Sequence, residues 1–185
     1  MTINETIQTF VRLGPEWEHL DFGIQPAAYD AGLNPYSVPR QDYFGDLRVR
    51  QAFSLAIDRE AIATLYGPSG RSTANLLVSP EIYASPNASY EYNLEKAAGR
   101  LDEAGWKINQ GQRVNASGQV LKAEILLVRS DFERIVLPYL ENLKRLGIAA
   151  SVRIVDSSQY EQREKTRDFD IIVDTFGQSN SPGNE

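Results

Sequence analysis

The chain has 185 residues, 25 acidic and 19 basic side chains, a net charge of −6 and no cysteine. Its 42% hydrophobic and 24% charged content is that of a globular domain able to bury a sizeable core. The acidic balance excludes nucleic acid as a partner, and the missing thiols exclude a disulfide scaffold and any thiolate metal site.

No apolar run approaches the roughly eighteen residues a membrane-spanning helix needs. The opening MTINETIQTF has neither the basic nor the apolar region of a signal peptide. Thr6 to Leu13 and Trp17 to Gln25 read as strands on either side of the turn pair Gly14-Pro15. In the second, Leu20, Phe22 and Ile24 share the core face, and Trp17, His19 and Asp21 share the other. Residues 26–45 read as a long loop without periodicity.

Asp46 is a good N-cap for a helix whose Val49, Ala52, Phe53, Ala56 and Ile57 form one apolar stripe, and Asp58 can cap a second short helix. Gly67 to Glu91 reads as another loop. Asn93 can cap a helix lined by Leu94, Ala97, Ala98, Leu101 and Ala104, with Gly105 in the left-handed position that ends it. Asn109 to Gly118 reads as a hairpin or loop. Ser130 and Glu133 form a capping-box pattern before a helix that contains Pro138 and stops at Gly147, and Ser158 and Glu161 repeat it. The runs Val120–Val128, Ala150–Val155 and Phe169–Val173 read as strands covered on both faces. Helices alternating with such strands make the chain α/β.

Nucleophilic chemistry finds no support. There is no cysteine and no Gly-x-Ser-x-Gly elbow, and the single histidine, His19, reads as a hydrogen-bonded structural residue on a strand. Gly67-Pro-Ser-Gly-Arg71 lacks the ending of a phosphate loop. Asp168, Asp170 and Asp174 share a face if their strand is regular, yet Asp168 and Asp170 are expected to be solvated or to cap a turn. No metal, cofactor or catalytic residue is therefore expected.

Four segments carry a family resemblance in the same order along the chain. VRQAFSLAIDREAI (49–62), YNLEKAAGRLDEAGW (92–106), LENLKRLGIAASVRIV (140–155) and QYEQREKTRDFDIIV (159–173) resemble segments of the extracellular solute-binding proteins, family five, that serve peptide-type ABC importers. FGQSNSPGNE (176–185) resembles the tail of the last segment in a peptide-binding branch.

The resemblance implies one lobe of a two-lobed, periplasmic-binding-protein-like (type II) α/β fold, with a mixed sheet flanked by helices. Residues 1–185 would be a single second lobe, with opening strands in 1–25, a loop in 26–46 and an α/β body in 47–185. The chain then reads as a domain excised from a longer exported protein, periplasmic or membrane-anchored outside the cell. Its implied role is non-enzymatic: it would hold a peptide or other small solute against a first lobe and deliver it to the membrane permease. The alternative is the ligand-sensing domain of a transcription regulator. In the family the segment after the last strand faces the ligand, which implies Phe176, Gln178, Ser179 and Asn180 as ligand-side residues, with Trp17 and His19 as weaker candidates. An aspartate often holds the peptide's α-ammonium in this segment; here neutral Ser179 or Asn180 stands near that place, without the charge-assisted bond.

Overall fold

A computed structural model describes residues 16–24, 42–75 and 81–177. The expected strand Thr6–Leu13 and the candidates Gln178, Ser179 and Asn180 lie outside these residues. The core is a four-stranded sheet in the order β1-β6-β4-β5, formed by β1 (Glu16–Phe22), β4 (Lys122–Leu127), β5 (Ala149–Ile154) and β6 (Ile171–Gly177). β4 pairs parallel with both β5 and β6, while β1 closes the other side antiparallel to β6. A small hairpin, β2 (Lys107–Asn109) with β3 (Gln112–Val114), occupies the stretch expected to be a hairpin or loop.

The apolar stripes explain how helices cover this sheet. In α1 (Leu47–Leu55), Val49, Ala52 and Phe53 are fully buried, as is Ala56 just beyond it. Asp46 caps it, accepting the Arg48 N–H at 2.8 Å. Asp58 caps α2 (Arg59–Thr64) through the Ala61 N–H, and Asn93 caps α3 (Leu94–Glu103) through the Lys96 N–H. α4 (Glu133–Arg145) adds Val136, Tyr139, Leu140 and Leu143 to the same core. α5 (Ser157–Thr166) lies on the opposite face, where Tyr160 packs with Leu126, Phe169 and Ile172. No helix among the described residues is long and apolar enough to cross a membrane.

Four expectations need correction. Ser130 does not cap α4, because a 3-10 turn over Ser130–Phe132 leads into the helix without a side-chain cap. Ser158 does not cap α5; Asp156 does, accepting the Gln159 N–H at 3.0 Å, since a carboxylate two residues earlier meets the free amides first. β5 is not covered on both faces but is a mostly exposed edge strand. Lastly, the end of the first loop belongs to the core. Asp42–Gly45 forms a 3-10 turn whose Phe44 ring lies 5.3 Å from those of both Phe22 and Phe53. Such aromatic pairs add about 0.5–1.5 kcal/mol beyond their burial.

Candidate ligand-binding site

Because β4, β5 and β6 are parallel, Leu127, Ile154 and Gly177 all finish at one end of the sheet, and antiparallel β1 starts there at Glu16. In open α/β sheets, ligands bind at that carboxyl end. The β1–β6 register sets Trp17 opposite Phe176 and His19 opposite Asp174. Alternation then gathers Trp17, His19, Phe176, Asp174 and Asp21 on the α5 face, and leaves Leu20 and Phe22 to the main core.

Three of the residues implied by sequence therefore come together. The rings of Trp17 and Phe176 are 5.5 Å apart and those of Trp17 and His19 are 4.7 Å apart, a half-buried aromatic ledge. Trp17 Nε1 and His19 Nδ1 are shielded from solvent and have no hydrogen-bond partner among the described residues. A polar atom in that condition costs about 1–3 kcal/mol until something meets it. On the other face of β1, burial pushes the Glu18 carboxyl above its ordinary value; nearby Arg129 opposes the rise and Asp131 adds to it. The Tyr66 hydroxyl donates to this carboxylate.

The aspartate series behaves differently from expectation. Asp170 is not solvated but 3% exposed, and its Oδ2 accepts the Glu124 N–H at 3.0 Å, tying β6 to β4. Asp168 lies by Arg163 at 3.7 Å. Only Asp174 joins the ledge, where it meets His19 and Asp21; one donor atom from each of the three falls within 4.8 Å of the others. His19 Nε2 is 3.3 Å from Asp21 Oδ2. Sequence reasoning missed Asp21 as a site residue, and the Tyr66–Glu18 contact on the other face of β1. Period-two alternation already put Asp21 beside His19, whereas the Tyr66 contact spans 48 residues and leaves no local signal.

Two concavities are present among the described residues, the first apart from the ledge and the second adjoining it at Asp21. One of about 320 Å³ is lined by Arg59, Ser72 and Tyr90 among others, and one of about 460 Å³ lies along Leu20–Ile24 with Arg167 and Phe169.

The chain matches the family described as bacterial extracellular solute-binding proteins, family 5 Middle, over residues 14–185. It belongs to that family. "Probable peptide-binding protein YejA" of Agrobacterium fabrum is 33% identical, the match taking in 79% of this chain and 30% of that protein. "Peptidoglycan-binding protein YepA" of the same organism is also 33% identical, with 72% and 22% covered. Among solved structures, lactococcal OppA with an endogenous peptide, in the closed conformation, superposes with a TM-score of 0.76 at 21% identity, covering 94% of this chain and 34% of that one. AppA of Bacillus subtilis with a nonapeptide gives a TM-score of 0.67 at 25% identity, covering 91% and 34%. The fold is thus that of one lobe of the family, and the chain spans about a third or less of the length of these relatives. The family and these structural neighbours are binding proteins.

Proposed function

We propose that this chain is the second lobe of a peptide-binding subunit of an ABC importer, and that Trp17, His19 and Phe176 form its share of the ligand contact. The observation that carries the reading is the aromatic ledge at the carboxyl end of the sheet, with two shielded ring nitrogens that have no hydrogen-bond partner among the described residues. A peptide offers both apolar side chains to stack and backbone groups to meet those nitrogens. Gln178, Ser179 and Asn180, which the family resemblance implies as ligand-side residues, follow Gly177 in the chain and lie outside the described residues. Relatives named for peptide and peptidoglycan binding, and neighbours holding peptides, support this ligand class.

The role is delivery rather than catalysis. Ligand would be enclosed between this lobe and a first lobe, outside the cytoplasm in the periplasm or at an anchored position, and released to the membrane permease. Residues 1–185 form one contiguous part of that clamshell. Calorimetry with a peptide mixture tests the reading, comparing this chain with the intact protein that carries it. Enclosed sites bury about 70–90% of their ligand, and one wall leaves the cost of association poorly offset. Tight binding is expected of the intact protein and little of this chain alone; equal affinity in both would overturn the two-lobe reading.

A further inference from the structure

We propose that His19, Asp21 and Asp174 form a binding site for a divalent transition metal of the zinc class. The inference goes beyond peptide recognition and does not depend on it.

Strand geometry builds the donor set. His19 and Asp21 stand two residues apart on one face of β1, and Asp174 lies directly across from His19 on β6. With one donor atom each inside 4.8 Å, the three need only small side-chain shifts to meet an ion with bonds of about 2.0–2.2 Å. One imidazole and two carboxylates suit zinc, and the sheet carries them on paired strands rather than loops.

Charge points the same way. Among the described residues, neither Asp21 nor Asp174 forms an ion pair with Lys or Arg, and Arg167, which lines the neighbouring cavity with Asp21, does not reach it as one. Two carboxylates grouped with a single histidine give the cluster a negative charge that a dication would neutralise.

The surroundings support coordination. Asp174 Oδ1 accepts the Thr175 N–H at 2.7 Å, which orients the carboxylate and leaves its second oxygen available. The Trp17 ring packs against the imidazole. Among the described residues, His19 has one nitrogen 3.3 Å from Asp21 and one with no partner, so neither is committed there to a strong hydrogen bond. Asp21 is half exposed, with a side-chain exposure of 51%, giving the ion a route in and room for water at a fourth position.

The test is a Zn²⁺ titration of the untagged, chelator-treated intact protein by calorimetry, followed in parallel through tryptophan fluorescence. The expected result is saturable binding at micromolar Zn²⁺ that weakens at least about tenfold in His19→Ala and in Asp174→Asn. Asp21→Asn, at a half-exposed position on an edge strand, gives the same readout if His19→Ala loosens β1. Co²⁺ in place of Zn²⁺ should give a visible absorption band that His19→Ala abolishes. No saturable binding below millimolar Zn²⁺, or binding of undiminished strength in all three variants, would overturn the proposal.

Discussion

Trp17 and Phe176 face each other across the β1–β6 register with ring centroids 5.5 Å apart, although 159 positions separate them in the chain. Trp17 is the second residue of β1 and Phe176 the last but one of β6, so the pair sits where the sheet ends and a ligand would meet it. Neither ring belongs to the main core.

Phe176→Ala in the intact protein is therefore expected to weaken peptide binding by about tenfold, from the loss of stacking area and of the Trp17 contact. Stability should fall by about 1 kcal/mol at most, because the ring is only half-buried. Calorimetry for affinity and thermal melting for stability separate the two effects. Unchanged affinity would remove Phe176 from the ligand contact.

Gly105 and Gly147 end α3 and α4 with φ of +87° and +83°, the left-handed geometry expected from sequence. Gly105→Ala meets open space and should cost about 1 kcal/mol from backbone strain alone. In Gly147→Ala the new methyl would also press Ile108 Cδ1 at 2.6 Å and the Gly111 carbonyl oxygen at 3.2 Å, so a larger loss of about 2 kcal/mol is expected. Urea unfolding of the two variants should rank them in that order.

Arg113 ties three elements together from a site 3% exposed. It donates to Asp102 at 2.7 Å, to the Trp106 carbonyl at 2.6 Å and to the Leu146 carbonyl at 2.8 Å. Arg113→Met would strand two buried carbonyls, with an expected loss of about 3 kcal/mol in chemical denaturation. Arg113→Lys should recover little of it, because an ammonium cannot fork between those acceptors.

Asp170→Asn tests the β4–β6 seam. The amide oxygen can still accept the Glu124 N–H, but the charge-assisted bond is lost and a buried amide donor is added; about 2 kcal/mol of destabilisation is expected. Thermal melting with unchanged ligand affinity would mark this aspartate as structural.

Glu18 sets a pH dependence. Its folded-state carboxyl titrates above the ordinary 4.5 because burial disfavours the charge. The folded protein thus holds that proton longer than the unfolded chain does, so its contribution to stability is full below 4.5 and declines as pH rises through the raised value. Glu18→Gln should flatten this slope and leave the protein no less stable at neutral pH, as read from melting temperatures between about pH 4 and pH 7. A variant with the same slope as the parent would assign the dependence to other groups.

Local chemistry alone determined much of this protein. The 3.6-residue stripe from Val49 to Ile57, the caps at Asp46, Asp58 and Asn93 and the stops at Gly105 and Gly147 depend on neighbours within a few residues, so they were legible in the sequence. Where two local signals competed, as between Asp156 and the Ser158–Glu161 pattern, spacing alone favoured the wrong residue. The tertiary structure decided what depends on long-range pairing. Alternation put Trp17, His19 and Asp21 on one face of β1, but only the antiparallel register with β6 brought Phe176 and Asp174 to them. The same holds for the burial of Tyr43 and Phe44, for Asp170 bridging to Glu124 and for Arg113 joining three elements. Each of these contacts forms between residues distant in sequence, and its energy appears only when the sheet closes, which is why no local pattern announces it.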